Sequence, residues 1–441
     1  METFAVIALF AGLIICIVAG IPLVLAMLVP SVVVTLLFGL GTLNGVVSVM
    51  FGSVNSYTLI AIPLFILVGK LMTVGGLASD MVALIARVIG RGKPGSAGYI
   101  TVGASLFFAG VSGSSTADTA ALSTMMEKPL RRDGFSRGYI GALTTVGGGL
   151  GLIIPPSIML VIFGVVANVS IGKLFFAGVI PGLILTLTLG LAVSLEVRKI
   201  TRLARVRTGS LPSLPDEDPA TSGSRLEQHR GWLGLGAPII ILGGIYLGLL
   251  TPTESAAAAA AYVLIVTALF YRNVSWKQIY DAFKESAILT SIVMVLTAAG
   301  GVFAWVVVKL NVARYIDALL EPLGGSPILL VALVLVIMGI AGMFIEPIPL
   351  IYLFVPIVVP PLLIAGVDMV AFGVLFTMML SIGQATPPVG ANLFVASAVL
   401  KVPFEEIVNK LPLLLLSMVI PVLLVLLFPI LATWLPELLF R

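Results

Sequence analysis

Charged residues are scarce in this chain. They make up 10% of its 441 residues, against 59% hydrophobic, where a soluble domain carries about 25%. A water-soluble fold of this length would expose much of that apolar surface, so the bilayer is its natural solvent. Cysteine and histidine are scarcer still, with one of each. Cys16 sits inside the first apolar run, which excludes an intramolecular disulfide and argues against a metal cluster. His229 lies in the most polar stretch, which argues against a histidine proton relay or a zinc site. No G-x-x-x-x-G-K-[ST] loop occurs, so ATP is not hydrolysed by that route and an ion gradient is the default source of energy. The net charge of +4 is spread over loops; it speaks of membrane topology, not of nucleic acid.

What is present instead is apolar length. The runs 3–27 and 411–434 each exceed the roughly 20 residues that a spanning helix needs. The first has no basic n-region and continues into more apolar sequence, so it reads as a first spanning helix and not as a cleaved signal.

The sequence also repeats itself. At an offset of 232 residues, Gly69 falls on Gly301, Gly92 on Gly324, Ala109-Gly110 on Ala341-Gly342, Pro129 on Pro361 and Gly134 on Gly366. Gly141, Leu143 and Thr145 fall on Gly373, Leu375 and Thr377, Gly151 on Gly383, and Pro155-Pro156 on Pro387-Pro388. Most matches are Gly or Pro, the residues that dictate backbone geometry. The copies read as inverted. Lys128, Arg131, Arg132 and Arg137 follow the first polar segment, whereas the equivalent stretch 361–371 holds only Asp368. Arg87, Arg91 and Lys93 precede it, where the second copy has Arg314 with Asp317 and Glu321. Since basic loops stay in the cytoplasm, equivalent loops lie on opposite sides, a known transporter architecture. Between the copies, 198–230 opens with Arg198, Lys199, Arg202, Arg205 and Arg207 and continues rich in Pro, Ser and Asp. It reads as a flexible cytoplasmic linker. The run Ala256–Ala261 permits close helix packing, and 276–311 reads as a helix leading into the second copy.

Each copy has two weak points. The first is a polar tip: Gly110 to Asp118 in copy one, Gly342 to Pro349 in copy two. Limbs of about a dozen residues cover only ~18 Å of helix, so these segments are expected to be re-entrant hairpins whose tips are buried in protein or line a cavity. The second is a broken helix, Thr144 to Ser157 and Ser381 to Asn392, where glycine and proline interrupt the hydrogen-bond ladder. Unwinding frees carbonyl oxygens that suit a small cation and N–H groups that suit an anion. Two tips facing two breaks would make two cation sites with a substrate site between them. Plainer readings stand beside this one. Gly147-x-x-x-Gly151 is also a packing motif, Ser115-x-x-Asp118 has the form of a capping box, Glu346 before Pro347 could cap a helix, and Lys70 could snorkel to the interface.

With Ser112-Gly-Ser-Ser-Thr-Ala-Asp118, the Gly-Leu-Ile-Ile-Pro-Pro-Ser157 break, Gly342 to Pro349 and Gly383-Gln-Ala-Thr-Pro-Pro-Val-Gly390, the chain resembles, over essentially its whole length, the large membrane subunit of the tripartite ATP-independent periplasmic (TRAP) transporters. The resemblance implies an all-α polytopic elevator transporter of the ion-transporter superfamily in the bacterial inner membrane. It implies Na+ as coupling ion, a periplasmic solute-binding protein and a separate small four-helix membrane subunit as partners, and a carboxylate substrate such as a C4-dicarboxylate or sialic acid. Carried over by motif, the first Na+ site would hold Ser112, Asp118, Gly151, Ile154 and Pro156. Under the 232-residue symmetry the second would use Gly383, Thr386 and Pro388, together with Gly342 and Glu346 of the second tip. Ser112 and Asp118 map to Phe344 and Leu350, so the second site cannot use the same side chains. Ser114, Ser115, Pro155, Pro387 and Asn392 are the expected substrate positions.

The expected organisation is N-terminal scaffold helices 1–58; a first repeat 59–172, with hairpin about 99–130 and broken helix about 138–168; a scaffold helix 173–197; the linker 198–231; and scaffold helices 232–290. The second repeat, 291–404, has its hairpin at about 328–361 and its broken helix at about 370–400, and 405–441 forms a C-terminal helix. The nearest rival is a self-sufficient ion-coupled dicarboxylate or citrate carrier. An intramembrane enzyme would have only Asp118 and Glu346 as an acid pair, so no catalytic residue is expected. A channel would lack saturable, coupled flux.

Overall fold

A computed structural model describes residues 2–90, 95–112, 114–208, 225–271, 274–315 and 326–440, with the side chains of 109–112, 203–208, 225–231 and 270–271 outside the description. The described residues are helices and their connections, with no strand. That is the outcome expected of a chain whose backbone polar groups find no water in the bilayer and must pair within each segment.

In chain order the helices are α1 Glu2–Val18, α2 Leu23–Leu37, α3 Leu43–Val54, α4 Ala61–Val74, α5 Leu77–Ile89, α6 Ser96–Ser112, α7 Ser115–Arg132, α8 Arg137–Gly149, α9 Ile158–Val166, α10 Ile171–Thr208, α11 Arg225–Tyr246, α12 Pro252–Val266 and α13 Trp276–Lys309. They continue as α14 Pro327–Gly342, α15 Pro347–Ile364, α16 Met369–Gln384, α17 Ala391–Leu400, α18 Phe404–Val408, α19 Pro412–Leu427 and α20 Ile430–Leu439. The repeat is visible in these bounds. Helix α15 starts and ends 232 residues after α7, and α16 starts 232 after α8.

Helix α13 packs on α2, α3, α4 and α15, α12 on α4 and α11, and α10 on α6, α19 and α20. Ala256, Ala259 and Ala260 are buried, as expected of the small-residue face of α12. Its start is pinned by a capping box of Thr251 and Glu254. Lys70 does not simply snorkel: its Nζ meets Glu285 Oε2 at 2.6 Å, joining α4 to α13.

Several boundaries differ from expectation. The first apolar run is two helices, because Gly20, at φ +73°, and Pro22 break it. Helix α10 continues to Thr208, into the expected linker, since Arg and Leu are good helix formers. The C-terminal segment is three helices, with a 65° bend between α19 and α20 beside Pro429. The hairpin limbs have 17, 18, 16 and 18 residues, about 24–27 Å each. They are longer than a dozen residues, so limb length alone does not decide between re-entry and crossing.

Candidate functional site

The two broken helices cross. Ser381 Oγ on α16 donates to Gly149 O, the last residue of α8, at 2.8 Å. These two residues are 232 positions apart, each the counterpart of the other. The two copies thus meet at equivalent positions. A Cβ at position 149 would collide with the Ser381 hydroxyl. The helices also run in opposite directions. Arg137, at the start of α8, donates to Leu400 O at the end of α17, at 2.7 Å. Gly373, near the start of α16, lies against Phe163 and Leu174 beside the end of α9.

At the first break, α8 tightens into a single 3-10 turn at Leu150–Leu152 and then passes through a cis Pro155-Pro156 bond. Helix α7 begins against it: a Cβ on Gly148 would lie 2.7 Å from both Ser115 O and Thr119 N. Asp118 is 1% exposed and stands in the first turn of α7. The capping box expected at Ser115 and Asp118 is not what forms. The N-cap is Ser114, whose hydroxyl accepts from Ala117 N at 3.4 Å, so Asp118 falls one residue beyond the position that a capping box uses. Ser115 Oγ instead donates to Asn392 Oδ1 at 3.1 Å. Gly151 and Pro156 are buried and Ile154 half-buried. Helix α10 covers this break, since a Cβ on Gly178 would sit 2.6 Å from Ile153 O. The backbone of Ser112 ends α6, while its side chain lies outside the described residues, as does Gly113.

The second break is more open. After α16, Pro387-Pro388 is again cis. Thr386 and Pro387 are half-buried, while Pro388 is exposed. Its tip is tied to it by three bonds: Gly390 N donates to Met343 O at 2.9 Å, and Gln384 Nε2 donates to Gly342 O at 2.9 Å and to Ile345 O at 3.1 Å. Gly342 and Gly383 meet backbone to backbone, with a Cβ on Gly383 only 2.8 Å from Gly342 Cα. Glu346 stands at the N-cap of α15 but its side chain makes no cap bond, and it is exposed.

Of the expected substrate positions, the structure brings Ser115 and Asn392 into contact. Asn392 is fully buried, and its Nδ2 also donates to Thr145 O at 3.3 Å. One amide thereby links the start of α17 in copy two to both α7 and α8 in copy one. Ser114 is half-buried beside them and Pro155 is buried in the first break. Sequence reasoning missed Gln384 and Ser381. A signal existed for each: the repeat sets Gln384 opposite Leu152 and Ser381 opposite Gly149, polar residues without a polar counterpart. Among the described residues no group of three or more His, Cys, Asp or Glu could hold a metal. A cleft of about 480 Å³, lined by Ser56, Thr58, Asn168, Ser170 and Leu250 among others, lies at the α9–α10 and α11–α12 connections, away from both tips.

The family model for the DctM component of the tripartite ATP-independent periplasmic transporters matches residues 7–431. The chain belongs to this family. It is 34% identical over 391 residues to the 2,3-diketo-L-gulonate TRAP transporter large permease protein YiaN of Escherichia coli, covering 88% of this chain and 89% of that protein. It is 32% identical over 424 residues to the sialic acid TRAP transporter large permease protein SiaM of Vibrio cholerae (95% and 96%). It is 34% identical over 403 residues to the C4-dicarboxylate TRAP transporter large permease protein DctM of Pseudomonas aeruginosa (91% and 90%). Among solved structures, the YdaH transporter of Alcanivorax borkumensis shares the fold with a TM-score of 0.60 at 16% identity, over 86% of this chain and 87% of that one. As a TRAP large permease this is a membrane transport protein, and its relatives are permeases, not enzymes.

Proposed function

We propose that this TRAP large permease imports an organic acid across the bacterial inner membrane by sodium-coupled elevator transport. A periplasmic binding protein delivers the substrate, and a small four-helix membrane subunit completes the complex. The observation that carries the reading is the antiparallel crossing of two broken helices, each docked against a polar tip. The donors at the two breaks are all oxygens: a carboxylate, hydroxyls, an amide and carbonyls that proline deprives of helical donors. Such a set fits a hard monovalent cation and offers nothing to a soft one. At the first break Asp118 supplies the negative charge, with the carbonyls of Gly151, Ile154 and Pro156 closing the site. Gulonate, sialic acid and dicarboxylate in the relatives' names share a carboxylate, which supports the substrate class. The crossing helices and their tips would move as one body against a scaffold that includes α10 and α13, carrying ion and substrate together. The test is uptake into proteoliposomes across a panel of organic acids, with and without sodium and with each partner omitted. Saturable uptake that needs sodium and the binding protein is expected. Full uptake without the binding protein would favour the self-sufficient carrier.

A further inference from the structure

The geometry points to Gln384 as the side-chain oxygen ligand for a cation at the second break, the part that Asp118 plays at the first. This rests on the cation-coupled reading above. Gln384 closes α16 and is 1% exposed. Both protons of its amide are committed, to Gly342 O and Ile345 O. This fixes the orientation, because the reversed amide would aim its oxygen at two carbonyl oxygens. Its Oε1 is buried and has no hydrogen-bond partner among the described residues. A buried acceptor left unmet loses its hydration with no return.

Two backbone oxygens of the same break are short of helical donors. The helical donor for Gln384 O would come from position 388, which is a proline without an N–H. The donor for Thr386 O would be Gly390 N, but that group is turned to Met343 O. Both carbonyls face Gly390: a Cβ there would sit 2.8 Å from Thr386 O and 3.1 Å from Gln384 O. Glycine, at φ +57°, leaves that space open. Leu393 Cδ1 lies 3.0 Å from the same point, so one apolar wall and two carbonyl oxygens bound the space, and carbonyls without helical donors suit a small hard cation such as sodium.

The repeat gives the placement its logic. Asp118 has an apolar counterpart, Leu350, and Gln384 has an apolar counterpart, Leu152. Copy one takes its side-chain ligand from the tip, and copy two takes it from the broken helix. The second site is then neutral where the first is charged, and its amide also straps the tip shut.

The test reads sodium-specific thermal stabilisation of the full chain purified in detergent, with choline chloride holding ionic strength constant. A bound ion raises stability with its concentration. In an Asp118→Asn background a sodium response is expected to remain, and adding Gln384→Leu should raise its sodium midpoint by about tenfold. Adding Gln384→Met instead, which keeps the volume and removes the oxygen, should raise the midpoint to the same extent. Should Gln384→Leu not fold, the Met variant carries the comparison alone. An unchanged midpoint in either variant would overturn the proposal, leaving the amide as a strap and a water on its oxygen. If the parent chain itself shows no sodium-specific stabilisation, the coupled reading fails with it; if the parent responds and the Gln384 variants match it, only the assignment of Gln384 fails.

Discussion

Replacing Asp118 by Asn tests the centre of the proposed mechanism, because it removes a charge and little else. The side chain is 1% exposed and sits in the first turn of α7, where Ser115 and Thr119 meet Gly148 of α8. Ser114, not Asp118, caps the helix, so the cap survives the substitution. Asn has nearly the same volume and keeps one acceptor. Contacts to a charged group contribute about 1.5–3 kcal/mol against about 0.5–1.5 kcal/mol for neutral ones, a difference of roughly 1–1.5 kcal/mol. That corresponds to about tenfold in affinity. Asp118→Asn should therefore insert and assemble normally yet need about ten times more sodium for half-maximal uptake in proteoliposomes, with protein amount controlled. An unchanged sodium dependence would remove Asp118 from the site and leave it a structural role in seating α7.

Three further outcomes follow from the structure. Gly149→Ala places a methyl group on the Ser381 hydroxyl; overpacking costs about 1–3 kcal/mol, which outweighs the roughly 1 kcal/mol gained in helix propensity, and Ser381→Ala should restore most of the loss in a double-mutant cycle read by thermal unfolding. On a Cys16→Ala background, cysteines at positions 132 and 202 should label from the cytoplasm and one at 368 from the periplasm; labelling of 132 and 368 from the same side would break the inverted arrangement. Asp133 ties the foot of α7 to the start of α6, accepting from Ala97 N at 2.8 Å. Burial pushes its carboxyl above the usual range, against the pull of the Ala97 and Gly95 N–H groups. The folded chain thus holds this proton more tightly than the unfolded one. The stabilisation is complete below the ordinary carboxylate pKa and is lost as pH rises through the raised value. Asp133→Asn should flatten that part of the pH–stability profile.

The sequence alone determined that this is a membrane chain, that it is built twice, and where each copy breaks. Those properties are written in composition and in the positions of glycine and proline, which act on the backbone locally and need no partner to be read. The bounds of α7 and α15 stand the same 232 residues apart as the sequence repeat. Run lengths were less telling: Gly20 and Pro22 split an apolar stretch that hydrophobicity alone would join, and basic residues carried α10 on into the polar linker. Which side chains meet was a different matter. That Ser381 meets its own counterpart Gly149, that Ser115 turns away from its own helix to Asn392, and that Gln384 holds the second tip depend on groups from 39 to 277 positions apart. No periodicity links such pairs. They are brought together only when two breaks cross, and burial then obliges each polar group to find a partner or wait for an ion.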